Sequence, residues 1–142
     1  MSALNSLVRV HSWALDEKRQ KLAELDRLSD KLRADLLALE QELTQEQAAA
    51  SGSAEGSIAF PAFVAAALER RKRLRQSIAN IELACDAARE EVNQAFQEMK
   101  KFELARDNQT AQEQEESARR EQTAMDEMGV DMHRRSKPTE QE

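Results

Sequence analysis

The sequence predicts an all-α protein, a long two-helix antiparallel coiled-coil hairpin with a C-terminal helical overhang. Three observations predict it. Helix breakers are scarce, with three glycines and two prolines among 142 residues, against roughly 7% and about 5% in ordinary chains. Apolar residues recur in two stripes at alternating steps of four and three, the spacing of a coiled-coil seam. The two stripes are nearly equal in extent and are separated by a Gly/Ser-rich stretch.

Helix one is expected over about residues 3–48. Its stripe runs through Leu4, Val8, His11, Leu15, Lys18, Leu22, Leu25, Ser29, Leu32, Leu36, Leu39 and Leu43, nine of twelve apolar. Residues 49–59 contain Ser51, Gly52, Ser53, Gly56 and Ser57 and read as a loop. Helix two is expected over about 60–128, with Pro61 in its first turn, where a missing N–H costs nothing. Its stripe runs from Phe60 and Val64 through Ile78, Cys85 and Val92 to Phe102 and Arg106, and twelve of fourteen positions are apolar. Folding at the loop sets Leu43 near Val64 and Leu4 near Phe102, a pairing of about 60 Å at 1.5 Å per residue. A random pair of amphipathic helices would not end together.

Beyond Arg106 the same register reads Gln109, Glu113, Glu116 and Arg120. Residues 107–128 hold seven acids and two bases but no Gly or Pro, so an unpaired helical overhang is expected. Glu115–Arg119 and Glu116–Arg120 support it as i,i+4 pairs, each contributing about 0.2–0.5 kcal/mol. Gly129 suits a C-terminal cap, and 129–142 read as a flexible tail. The whole chain is taken as one coiled-coil domain.

Composition excludes several classes. Aromatics are 4% of residues and charged residues 34%, a mixture that fills a thin seam but not a thick core. The longest apolar run, around Phe63–Leu68, is far short of the roughly 18 residues of a spanning helix. No basic segment followed by an apolar h-region opens the chain, so no signal peptide is expected. A single cysteine, Cys85, forms no intrachain disulfide and fits a reducing cytosol. Net charge is −6 with pI near 5.1, which disfavours nucleic acid or an acidic membrane as the main partner.

Chemistry-bearing motifs are nearly absent. There is no phosphate-binding Gly-rich loop, no CxxC and no HExxH. His11 and His133 lie too far apart to cooperate. His11 reads as a register-setting polar seam residue and Cys85 as a small buried one. Glu90–Glu91 and Glu115–Glu116 read as solvated charge. No catalytic residue, metal site or cofactor is expected, and the chain does not read as an enzyme. The run Arg70, Arg71, Lys72, Arg73, Arg75 lacks interleaved aromatics and wraps around the helix. It reads as a solvated or protein-binding face, with nucleic acid as the lesser alternative.

Apolar residues off the seam point to partners. With Val8 at heptad position a, Trp13 falls at f, Leu7 at g and Val10 at c. Trp is enriched at binding hot spots, so Trp13 either lies over the end of the seam or docks a partner. Phe63 lies at g beside the loop, and Met125, Met128 and Met132 recur at helical spacing along the overhang.

The chain resembles the flagellar export protein FliJ family. The resemblance rests on Asp16-Glu-Lys-Arg19, Phe60-Pro-Ala-Phe63 with Glu69-Arg-Arg following, Ala95-Phe-Gln-Glu-Met-Lys-Lys101, and Arg120-Glu-Gln through Met125-Asp-Glu127, and it spans nearly the whole chain. It implies a fold like the central-stalk coiled coil of rotary ATPases and a cytosolic role at the inner-membrane export apparatus. The implied partners are the hexameric export ATPase FliI, the export gate FlhA and flagellar export chaperones, with peripheral membrane association through the apparatus. By the same resemblance the free termini enter the ATPase ring, which suits Leu7, Val10, Trp13, Met125, Met128 and Met132. The gate-binding surface lies early in helix two, near Phe63, Arg70 and Leu74. The short Gly/Ser-rich connector departs from the family pattern and puts contacts at the hairpin tip in question. An adaptor or chaperone of a virulence type III secretion system is the alternative.

Overall fold

The computed structural model describes residues 3–136. It contains two helices, α1 (Ala3–Ser51) and α2 (Ala54–Ser136), and no strand among those residues. Packing groups them into two compact units, one of residues 11–98 and one of 3–10 with 99–136.

In the 11–98 unit the helices run antiparallel, as the ion pairs between them show. Lys18 and Lys21 meet Glu91 at 3.4 and 3.5 Å, Asp26 meets Arg89 at 3.5 Å, Arg33 meets Glu82, and Glu40 meets Arg75 at 3.6 Å. As the α1 number rises from 18 to 40, its partner falls from 91 to 75. In heptad terms, Asp26, Arg33 and Glu40 are e positions facing the e positions Arg89, Glu82 and Arg75. Lys21 at g faces Glu91 at g. All these pairs are substantially exposed, so each adds little stability.

The seam falls where the periodicity set it. Every stripe position from 11 to 43 and from 60 to 95 is buried or half-buried, with Leu15, Leu39, Ala67, Ile78, Cys85 and Ala88 forming the core. Shallow grooves along the seam set the register: Leu28 and Leu32 adjoin Ser77, Asn80 and Ile81, and Ser29 adjoins Glu82 and Cys85. Carried along by heptads, that register sets Leu15 opposite Ala95, Leu22 opposite Ala88 and Leu25 opposite Cys85. At these three layers a large residue on α1 meets a small one on α2, which lets the backbones approach while the seam stays filled; the same register sets Leu32 opposite Ile78 and Leu36 opposite Leu74. Leu43 then faces Ala67, one seam step beyond the Val64 expected from the sequence.

In the other unit Leu4, Val8, Met99, Phe102 and Arg106 are half-buried, and every residue of 107–136 is exposed. The expected unpaired overhang is therefore present and helical.

Three boundaries differ from the expectation. The loop 49–59 is a two-residue turn, Gly52-Ser53. Ala48, Ala49 and Ala50 favour helix strongly, and Ser53 starts α2 by accepting the Gly56 amide N–H on its hydroxyl at 3.1 Å, an N-cap bond. Gly56 suits the close return of the chain, since a Cβ there would lie 3.2 Å from the Ala50 Cα. Pro61 consequently sits inside α2 and not in its first turn. The ring costs the helix the bond to the Ser57 carbonyl, and Ser57 is exposed, so that group stays open to solvent.

At the far end Gly129 does not cap the helix. It lies within α2 with no positive φ, at a cost of about 1 kcal/mol relative to Ala. The helix runs on past it to Ser136, the last described residue, through the basic stretch His133, Arg134 and Arg135. Of the expected tail, 129–136 are thus helical and 137–142 lie outside the described residues.

Two measurements test this packing. Leu15 is 2% exposed, so Leu15→Ala should lower unfolding free energy by about 2–4 kcal/mol, whereas Leu83→Ala should stay within about 0.5 kcal/mol, both read by chemical denaturation. In a Cys85→Ser background, Arg33→Cys with Glu82→Cys should oxidise to an intrachain disulfide. Arg33→Cys with Arg75→Cys, one heptad out of register, should stay reduced.

Candidate partner-binding surfaces

Shallow grooves lie on the flanks of the seam in the 11–98 unit. One of about 290 Å³ is lined by Asp26, Ser29, Arg33, Glu82, Cys85, Asp86 and Arg89. Burial is the main force that raises the Cys85 thiol above its ordinary pKa, with the neighbouring Asp26 acting in the same direction. This is opposite to the shift that activates a nucleophilic thiol. Another groove is lined by His11, Ala14, Lys18, Glu91, Gln94, Ala95 and Glu98. There the Lys18 hydrogen bond and charge, joined by Lys21, hold the Glu91 carboxyl below its ordinary value. Among the described residues, no group of three or more His, Cys, Asp or Glu is placed to hold a metal ion.

The remaining features are exposed apolar side chains on helix surfaces. On α1, Leu7, Val10 and Trp13 are 38%, 53% and 61% exposed. Leu7 and Val10, three residues apart, lie on one side of α1, and Trp13 is too open to serve as a lid over the seam. On α2, Met125, Met128 and Met132 are more than 60% exposed. The first of them lies about 28 Å beyond Arg106 at 1.5 Å per residue, so the methionines and the Leu7–Val10 strip are separate patches. Val130, 51% exposed, lies beyond the helix end expected from the sequence.

Phe63, Arg70 and Leu74 share one face of α2 by their spacing of seven and four. Arg70 is exposed, and Phe63 and Leu74 are half-buried. Leu74 is a seam position, so part of its surface is committed to α1. The sequence reading missed Ile58, 82% exposed, Leu83, 70% exposed, and Leu104, 57% exposed. Ile58 falls within the loop expected from the sequence. Leu83 and Leu104 both sit at f, and a search for heptad repeats outside the seam would have found them.

A paired-helix scaffold with apolar residues turned outward defines a coiled-coil protein. The chain matches the family model described as Flagellar FliJ protein over residues 1–138, and it belongs to that family. The family is a non-enzymatic component of flagellar protein export, so the role is export-related and associates the chain with the flagellar export apparatus. Neither the curated proteins nor the solved structures gave a significant match. No helix among the described residues is long and apolar enough to cross a membrane.

The lowered Glu91 pKa carries a signed consequence. A carboxylate depressed in the folded state adds stability above its unfolded pKa and loses it as pH falls through the folded value. Glu91→Gln should therefore unfold with a shallower acid limb than the parent below the ordinary glutamate range, read by helical circular dichroism against pH. Equal slopes would remove the linkage.

Proposed function

We propose that the chain is the central stalk of the flagellar export apparatus. Its ends bind the hexameric export ATPase, and the face of α2 nearest the turn engages the export gate. The observation that carries this reading is the distribution of exposed apolar residues in a FliJ family member. Leu7, Val10 and Trp13 lie near one terminus and Met125, Met128 and Met132 near the other, each set recurring at helical spacing, whereas Leu37, Ile58 and Leu83 are exposed singly among the charges of the paired stretch. Large apolar side chains left in water favour association, and Trp and Met suit docking surfaces.

On this reading the stalk supplies contact and geometry, and the ATPase supplies the chemistry. Phe63, Arg70 and Leu74 form the gate-binding face, with Arg70 as its charged edge. Export chaperones are further partners. The protein works in the cytoplasm and reaches the inner membrane only through the apparatus it binds.

The test is enzymatic and hydrodynamic. Full-length chain should raise both the turnover and the hexamer fraction of the purified export ATPase. Leu7→Glu with Val10→Glu and Trp13→Glu should remove most of the stimulation while the helical signal is retained, and deleting 107–142 should weaken it. Phe63→Ala should reduce capture of the gate's cytoplasmic domain without changing ATPase stimulation. Unchanged turnover and oligomerisation with the full-length chain would end the stalk reading.

A further inference from the structure

Beyond the hairpin, α2 carries a second apolar stripe. Leu104, Ala111, Ala118, Met125 and Met132 recur every seven residues, with Met128 between the last two. The hairpin seam on the same helix passes through Met99, Phe102 and Arg106, and its continuation is polar. The new stripe is offset by two residues from the old one, about 200° around the helix at 3.6 residues per turn. It therefore lies on the side of α2 opposite the seam. Leu104, Met125, Met128 and Met132 are 57–68% exposed, and both alanines are exposed.

A strict seven-residue repeat matches the repeat of a partner helix in a left-handed coiled coil. The two alanines permit close approach, and the methionines adapt to the partner's shape. An unpacked helix of this composition is marginal in water, so pairing would also stabilise the segment.

Charge selects the occupant. Of the seven acids in 107–128, Asp107 lies 3.2 Å from Arg106, and Glu115 and Glu116 pair with Arg119 and Arg120 at 2.6 and 3.4 Å. Glu113, Glu121, Asp126 and Glu127 have no ion pair among the described residues. Glu121 falls in line with the stripe, between Ala118 and Met125. A second copy of the chain would bring the same acids against each other, which is unfavourable. A helix with lysine or arginine beside its apolar stripe would neutralise them.

We propose that the 104–132 stripe is the docking face for an amphipathic helix of a partner protein, apolar at its seam and basic on its flanks. This deepens the end-docking reading and rests on it, by naming the chemistry of what the overhang meets.

The test uses the full-length chain and a labelled four-heptad peptide with leucine at a and d and lysine at e and g, followed by fluorescence anisotropy. The peptide should bind, and binding should weaken as salt rises. Met125→Glu with Met132→Glu, and separately Ala118→Glu, should each weaken it about tenfold or more, whereas Leu83→Glu should not. Three results would overturn the proposal: equal binding of a scrambled peptide of the same composition, equal binding of a glutamate-flanked peptide, or indifference to the substitutions. Self-association of the chain through this stripe, seen by sedimentation and abolished by Met125→Glu, would replace the partner with a second copy. A chain that stimulates the ATPase but ignores the peptide sinks this proposal alone. One that binds the peptide without affecting the ATPase sinks the ring reading alone.

Discussion

The structure depends first on the register of one helix against the other. A heptad seam rich in leucine is nearly degenerate under a slip of seven residues, because leucine would meet another small or apolar residue in the shifted position. The e positions remove that degeneracy. On α1 they alternate Asp26, Arg33, Glu40, and on α2 they alternate Arg89, Glu82, Arg75. In the observed register each acid meets a base. A slip of one heptad in one direction sets Arg33 against Arg75 and Asp26 against Glu82. A slip in the other direction sets Arg33 against Arg89 and Glu40 against Glu82. Each exposed pair adds little to stability, but both slips exchange attraction for repulsion. These charges act as a register device more than as a source of stability.

That register lets a thin core suffice. Six side chains are buried among the described residues, and four of them, Ala67, Ile78, Cys85 and Ala88, lie on α2, three being small. Small residues on one helix and leucines on the other give a narrow, filled seam, sensitive to truncation at Leu15 and indifferent at outward positions. Fourteen large apolar side chains stay exposed among the described residues, so it is their arrangement that carries information. An exposed leucine or methionine is unremarkable alone. A run of them at helical spacing, on a chain with so few aromatics, marks a surface meant to be covered.

Much of this was legible in the sequence because the coiled coil is the case in which periodicity and tertiary packing are the same signal. Leu15, Leu22 and Leu39 announce the seam by spacing, and no distant residue alters their assignment. The turn was less legible. Gly52 and Gly56 suggest a loop by composition, yet helix propensity in Ala48–Ala50 and the single Ser53 cap outweigh them. Gly129 was misread for a related reason. Glycine at a helix end and glycine within a helix look alike in sequence, and here the helix continues through Gly129 to the last described residue, Ser136. For the binding surfaces, exposure at Trp13 and the methionines followed from their heptad positions, whereas Leu74 shows that one residue can serve the seam and still be proposed for a partner.

The second stripe is hard to see in the sequence because it lies off the register of the face that forms the hairpin. When a/d positions turn polar after Arg106, the natural reading is that coiled-coil character has ended. The repeat in fact continues with its phase moved by two residues, beginning at Leu104 before the first stripe has finished. The overlap matters physically. An α-helix has room for two apolar stripes on opposite sides, and at residues 102–106 both are present, Phe102 turned toward the seam and Leu104 away from it. Such a helix can hold its own chain with one face and accept a foreign helix on the other without either interface competing for the same side chains. The polar composition of the overhang is then the signature of a helix whose apolar side awaits a basic partner, and its solubility before docking comes from the same acids that would select that partner.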